Sequence, residues 1–509
     1  MSRRAMVLLA GAVMAATVLA VSGMAWAAVG RPVITNPRPV PGSTIADTTP
    51  TVTAIVRDRK TNLRKTNIAL YLDGRRITTF TYRTRTDRLV YRRTTPLAAG
   101  AHTVRITARD RDRNTTTKRW SFRVAPQQAP LALPPSSKAP DNVPTVGPLN
   151  TQTTTVRSIV RAGDNVWVGG RFTQVERDGT VLDTVSNVAV FDAATGEYKS
   201  SLTPKLGEGD ANAIVHDMAV YNGDVLIAGE FAGPSATQKN LVLVDGNTGQ
   251  VKQWYDAPVL RSVLADPQRG RVYGGGVSLT AFDFASGNKL WTRAKTAVDE
   301  TIQRNNPPAA GYRDLELDGN TIWAACACDS VDGQSTKALV KIDAATGDRD
   351  ASWNTRASNL AVGGSLAQDG NNLYLGAGGD DFLAAYPKAG NGIPTWTRDT
   401  SGGVQAVEVV RGGLVLGGHF TKVADQEADD CGNQDDKDGI SLDPNNQCQT
   451  RLGAAAYTLG GTLDGWAPKI QGGEEVWALR PDGTRLHVGG DFRQVNDADQ
   501  SHHYVRLSP

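Results

Sequence analysis

Seven short segments of this 509-residue chain share an apolar pattern, and two columns of their alignment carry groups able to do chemistry. The apolar column reads Ile159, Met218, Val263, Leu315, Leu366, Val407 and Leu479. Two residues before it stand Arg157, His216, Arg261, Arg313, Gly364, Gln405 and Trp477. Between the two stand Ser158, Asp217, Ser262, Asp314, Ser365, Ala406 and Ala478. Guanidinium forks bind carboxylate or phosphate oxygens, and an indole stacks on a ring. Arg157, His216, Arg261, Arg313, Gln405 and Trp477 therefore form a candidate site for an anionic or sugar-like ligand. His216 with Asp217 or Asp314 is the combination that can move a proton, as in a lyase or hydrolase acting on acidic polysaccharide. The opposing reading is structural: Arg–Asp pairs that tie neighbouring repeats together.

No other catalytic signature is present. The chain has no Gly-x-Ser-x-Gly elbow, no phosphate-binding P-loop, no His-Glu-x-x-His, no spaced zinc set and only six His. The balance favours a binding protein over an enzyme, with no cofactor required.

The elements that must position these columns form a repeat. One unit reads Asn165-Val-Trp-Val-Gly-Gly-Arg-Phe172 and then Val188-Ala-Val-Phe-Asp-Ala-Ala-Thr-Gly196. Versions of it return near Val215, Leu260, Tyr312, Gly363, Val404 and Val476, at a period of about 40 to 70 residues. Each copy offers three short β-branched strands and a fourth region that often carries Trp, as at Trp254, Trp291, Trp353, Trp396 and Trp466. Four strands make a propeller blade, and first strands line the central channel. The expectation is an all-β chain whose residues 148–509 form a propeller of about seven four-stranded blades, with the chemical column gathered at one channel mouth. The last copy ends at Tyr504-Val-Arg-Leu507 without a fourth strand, so the segment before Val156 is expected to close the ring. Deleting Leu149 to Thr155 should then lower stability.

Gly-Gly-x-Phe followed by a strand ending Asp-x-x-Thr-Gly resembles the bacterial delta-60-repeat-type propeller family, of unknown function. That resemblance implies the propeller and little biochemistry. The Asp-x-x-Thr-Gly-x-x-x-x-Trp stretches also look like the repeats of quinone-cofactor dehydrogenases. Such an enzyme implies eight blades and adjacent cysteines, which this chain lacks. The shared stretch reads as structural, a strand-ending turn with a Trp packed between blades.

Ahead of the repeats, residues 28–125 alternate apolar and polar residues in several short runs. Examples are Pro50 to Asp58, Ile68 to Leu72 ending at Asp73-Gly74, Gly100 to Asp110, and Trp120-Ser-Phe-Arg-Val124. Such runs with turn signals between them predict a sandwich. The Tyr-x-Asp-Gly, Gly-x-His-x-Val-x-Ile-x-Ala-x-Asp and Trp-x-Phe-x-Val stretches are similar to bacterial Ig-like domains, which implies a spacer or adhesive unit. Residues 126–147, rich in Pro and Ser, read as a tether.

The net charge of +3 conceals a split: residues 28–125 hold 21 Lys/Arg against 6 Asp/Glu, so the later residues are acidic overall. A basic module suggests an anionic partner, here a cell-envelope polymer or glycan; nothing indicates specific nucleic-acid binding. Propeller loops offer a protein-binding surface as the further alternative, a scaffold.

Residues 1–27 read as a signal peptide: Arg3-Arg4, an apolar run and Ala25-Trp-Ala27. No later stretch is apolar enough to span a membrane, so a secreted, extracellular or surface-associated protein is expected. Four cysteines suit that setting. Cys431 and Cys448 bracket one loop and should pair; Cys326 and Cys328 can close only a tight ring. The bracketed loop carries Asp435, Asp436, Asp438 and Asp443. Its alternating carboxylates read either as a Ca²⁺ site or as a solvated acidic loop.

Overall fold

The computed structural model describes residues 31–45, 48–58, 60, 62–124, 131, 133–137, 139–147, 154–293, 295–297, 311–355, 361–426, 431, 448–472, 476–496 and 503–509. The signal segment, Leu149 to Thr153 and the Asp435–Asp443 loop lie outside these residues.

Alternation builds the first module. One sheet pairs Val33–Arg38, Thr51–Arg57, Arg88–Arg92 and Thr81–Arg83, in that order. The other pairs Thr44–Ile45, Thr115–Val124, Gly100–Arg109, Ile68–Leu72 and Arg75–Ile77. Every second side chain turns inward, and Val52, Val56, Leu70, Leu89, Val104, Ile106 and Phe122 meet in one core between the sheets. Asp73 and Gly74 both take positive φ, as the two-residue hairpin between Leu72 and Arg75 requires.

Seven of the sheets that the repeats form are arranged in a ring. Their inner strands are Thr155–Ala162, Ile214–Tyr221, Ser262–Asp266, Gly311–Asp318, Val362–Gln368, Val404–Val410 and Val476–Asp482. Each contacts the next, and the seventh contacts the first. We number the blades one to seven in this order. Among the described residues, blades two, three and five have four paired strands, and the other four have three. The fourth strand expected from the repeat is thus well formed in some blades and reduced in others. In blades one, four and six the fourth strand shrinks to a single bridge, Phe191↔Tyr198, Ile342↔Arg349 or Tyr457↔Leu463.

The turn after the third strand joins the blades. Asp192 takes hydrogen bonds from the Ala194 and Thr195 backbone N–H groups and from the Thr195 hydroxyl. Gly196 at its end has φ 79° and abuts Val143 and Arg506, at the edge of blade seven. Gly347 of blade four likewise rests on Trp291 of blade three, and Gly461 of blade six on Trp396 of blade five. The recurrent Trp is thus an inter-blade packing residue.

The ring closes with residues ahead of Val156. Asp141 N–H donates to the Arg506 carbonyl at 2.9 Å, and its carboxylate holds the Arg506 Nε at 2.6 Å. Thr145 Oγ1 donates to the Tyr504 carbonyl at 2.9 Å. The closing contacts come from 141–145, whereas Thr155 belongs to the inner strand of blade one. Leu131 and Leu133 pack on the core shared by blades six and seven, and Trp466 Nε1 donates to the Pro134 carbonyl. The sandwich touches the propeller at blades five and six: Arg38 bonds the Pro394 carbonyl, and Thr51 bonds Gln426 at 3.2 Å.

Candidate functional site

The Gly-Gly-x-Phe stretch aims the candidate residues. Its first glycine lies under the next blade: a Cβ at Gly169 would come within 2.6 Å of Val215, and one at Gly489 within 2.3 Å of Val156. Its second faces the inner strand's backbone, so that a Cβ at Gly170 would sit 2.0 Å from the Thr155 carbonyl oxygen. Phe172, Phe231, Phe420 and Phe492 are buried. Opposite this pair the inner strand slips by one residue, at Arg157, His216, Arg313, Gly364, Gln405 and Trp477. A bulge re-aims the extra side chain. Arg261 precedes its strand and donates its N–H to the Gly275 carbonyl at 2.7 Å. The column picked out by alignment is therefore almost entirely a column of bulged residues.

Five of these side chains are electrostatically or physically coupled. Burial, then the guanidinium groups of Arg261, Arg157, Arg313 and Arg171, push the His216 pKa down to about 3. The ring is neutral across the physiological range and cannot serve there as a cation or general acid. The Arg157 guanidinium lies 3.4 Å from the centre of the Trp477 ring. Burial also lowers the Arg261 pKa, opposed by the nearby Glu230. Gln405 pairs with His419, Nε2 to Nδ1, at 3.2 Å. His419 Nε2 accepts the Gly403 N–H at 3.2 Å, so Nδ1 carries the proton. The amide orientation that satisfies both residues presents Oε1 to Nδ1–H and gives that otherwise unpartnered buried oxygen a donor.

The Ser/Asp column does different work. Asp217 accepts from Ser158 Oγ in blade one at 3.1 Å, from its neighbour Met218 N–H at 2.7 Å and from Val263 N–H in blade three at 2.8 Å. Asp314 accepts from Leu315 N–H at 2.8 Å, and from Ser365 Oγ and Leu366 N–H in blade five at 3.0 and 2.8 Å. Ser262 Oγ donates to the Tyr312 carbonyl, and Ser365 Oγ accepts the Val407 N–H. These bonds stitch the seams from blade one to blade six. Ala406 and Ala478 replace them at the last two seams, where Val476, Leu479, Val156 and Ile159 pack instead. Both carboxyls engage backbone of the next blade, so the proton-transfer pair drawn from sequence places its acids in the seams. Burial and the like charge of Asp314 raise the Asp217 pKa to about 7, and burial raises that of Asp314 to about 6.

Three residues beyond Arg313 and Gln405 stand Glu316 and Glu408. Burial, then Asp314, raises the Glu316 pKa to about 8; burial also raises that of Glu408, to about 7. Glu316 accepts from Gln368 Nε2 at 2.7 Å.

Sequence reading missed a second set of residues, the x of Gly-Gly-x-Phe and of its Ala-Gly version: Arg171, Glu230, His419 and Asp491. Thr155 pairs with Arg171 and Ile214 with Glu230, which sets these side chains beside the bulges. The signal was the variability of x inside an otherwise uniform motif. Both cysteine pairs are bridged, Cys431–Cys448 and Cys326–Cys328. Among the described residues no three His, Cys, Asp or Glu side chains cluster to hold a metal, and no helix is long and apolar enough to cross a membrane.

Residues 184–427 match the family described as outer membrane protein assembly factor BamB, just under half of the chain. That stretch, from within blade one into blade six, is similar to BamB-type repeats. No curated protein matches the chain. Among solved structures it is similar to the computationally designed Ika8 protein, at 11% identity and TM-score 0.41, over 73% of this chain and 100% of that one. It is also similar to an extracellular domain described as part of a hybrid two-component system of B. thetaiotaomicron, at 10% identity and TM-score 0.41. That match covers 72% of this chain and 40% of the other. A quinonprotein alcohol dehydrogenase-like protein from Bacteroides thetaiotaomicron matches at 10% identity and TM-score 0.33, over 85% of this chain and 95% of that one.

Proposed function

We propose that this is an exported binding protein. Its propeller mouth holds a ligand bearing carboxylate or phosphate groups, and its basic sandwich holds an anionic polymer of the cell envelope. The observation that carries the first part is the convergence of Arg157, Arg261, Arg313 and Arg171 on a neutral His216, with Glu230 the acid beside Arg261. Such a cluster offers planar donors to oxyanions. Trp477, capped by Arg157, supplies an apolar wall for a sugar acid. The lyase or hydrolase alternative draws less support, because Asp217 and Asp314 are engaged by backbone N–H groups of neighbouring blades.

The test is calorimetric titration of residues 28–509 with a uronic-acid trisaccharide, with inorganic phosphate and with the matching neutral trisaccharide. Binding of an acidic probe should weaken at least tenfold in the Arg157→Ala/Arg261→Ala/Arg313→Ala variant and in raised salt. Equal binding of the neutral sugar, or an unaffected triple variant, would overturn the reading. A second reading, a propeller that assembles with protein partners, is favoured by the match to a family named for outer-membrane-protein assembly. Capture of one protein partner that survives the triple variant would support it.

A further inference from the structure

We infer that the outer face of the sandwich's larger sheet is a polyanion-binding platform, centred on Arg76, Tyr71, Arg105 and Arg119. This deepens the polymer half of the proposed function and rests on it.

The register sets these four residues in one row across four adjacent strands. Arg76 is opposite Tyr71, Tyr71 opposite Arg105, and Arg105 opposite Arg119. Their neighbours Leu72, Leu70, Val104, Ile106 and Trp120 all point into the core, so the row points outward. Arg76, Arg105 and Arg119 are exposed, as are Arg123 and Arg109 on the same face. Between them stand hydroxyls: Thr103, Ser121, Thr107 and Thr117, the last two bonded to each other at 3.0 Å. The four strands Ile68–Leu72, Arg75–Ile77, Gly100–Arg109 and Thr115–Val124 contain no Asp or Glu. Asp73, in the adjoining turn, is committed to Thr103 N–H at 2.8 Å and to His102 at 2.7 Å. The row makes no ion pair among the described residues, and the propeller contacts lie elsewhere, at Arg38 and Thr51.

Strands in a sheet lie about 4.8 Å apart, and like charges directly opposite each other repel. Arg105 and Arg119 are such a pair. The Arg105 guanidinium carbon lies over the Tyr71 ring, 3.9 Å from its centre, which orders the fork without neutralising it. A surface with this arrangement gains most from a partner that lays negative charge along it. The charges of the face are spread over four adjacent strands, which suits a linear polymer with an oxyanion on every unit. Single-stranded nucleic acid requires open aromatic stacking platforms. Tyr71 is the row's aromatic, and Arg105 covers it.

The test compares residues 28–509 as wild type with two variants of equal charge. One is Arg105→Gln/Arg119→Gln/Arg123→Gln on the face; the other is Arg64→Gln/Arg85→Gln/Arg113→Gln, at exposed positions off it. The probes are poly(glycerol phosphate), polygalacturonate and oligothymidylate, each titrated at several salt concentrations. Wild type should bind one or both envelope-type polymers, with log K falling against log salt at a slope of about −2 to −3, the value for three or four oxyanion contacts at about 0.7 each. The face variant should lose at least tenfold and flatten that slope, and the off-face variant should change less than twofold. Equal losses in both variants would overturn the face assignment alone, leaving net charge as the cause. Binding of oligothymidylate as tight as that of either polymer would overturn the partner class. Failure of wild type to bind any polymer would overturn the polymer half of the proposed function, whatever the propeller mouth binds.

Discussion

Replacing Asp217 with Ala removes one acceptor from three donors at once. Val263 N–H, donated across the seam at 2.8 Å, is left without its acceptor. Met218 N–H keeps Ser158 Oγ at 3.0 Å, so it stays satisfied. Ser158 Oγ itself loses the carboxylate at 3.1 Å. A backbone donor left unsatisfied inside a protein costs about 1–3 kcal/mol, and a lost hydroxyl bond about 1 kcal/mol. Against this, the variant no longer desolvates a carboxyl whose pKa burial and Asp314 raise to about 7. Near neutral pH the net loss should be about 2–3 kcal/mol, a fall in Tm of roughly 3–4 °C for a propeller of about 360 residues. Thermal unfolding followed by tryptophan fluorescence reads it, beside titration of the propeller-mouth ligand. A Tm within 1 °C of wild type would refute the seam role. Lost ligand affinity with unchanged stability would place Asp217 in the binding chemistry.

Two further predictions concern the channel and the closing seam. Burial raises the pKa of Glu316 and Glu408 to about 8 and about 7, so the folded state holds their protons at pH values where the unfolded chain has released them. Their contribution is complete below pH ~4.5 and is lost as pH rises to about 8, so Glu316→Gln/Glu408→Gln should gain stability over wild type progressively between pH 5 and 8. A Tm difference that does not change with pH would count against it. Gly489→Ala drives a methyl to 2.3 Å from Val156 across the seam of blades seven and one, and should cost about 1–3 kcal/mol. Gly465→Ala, with open space around its Cβ, should change stability by less than about 0.5 kcal/mol in the same denaturation experiment.

Much of the fold was legible because it repeats. Ile159 and its six counterparts recur at one position of the repeat, on the inner strand of each blade, and a buried inner strand needs an apolar residue there. The bulged column was legible for the same reason, since its members stand a fixed distance from that residue. The shrunken fourth strands of blades one, four and six were not. Their turns look like those of the full blades, but pairing ends after the bridges at Tyr198, Arg349 and Leu463. Ring closure was half legible: the unpaired edge at Tyr504–Leu507 announced a need for a partner, but nothing local marked Asp141 as the residue that meets Arg506.

The sequence by itself determined the all-β character, the seven repeats, the charge contrast between the modules and the column of residues aimed by the bulges. Periodicity and turn chemistry are local properties, and local properties can be read along a chain. Tertiary structure alone decided what the carboxyls do. Asp217 and Val263 are far apart in sequence and meet only because consecutive blades pack side by side. A backbone N–H leaves no mark in sequence, so an acid that satisfies one looks the same as an acid that waits for a substrate. The same holds for His216, whose neutral state follows from burial and from guanidinium groups delivered by other strands and blades. Residue type states which chemistry is available; neighbours brought in by the ring decide which protonation state and which partner each group has.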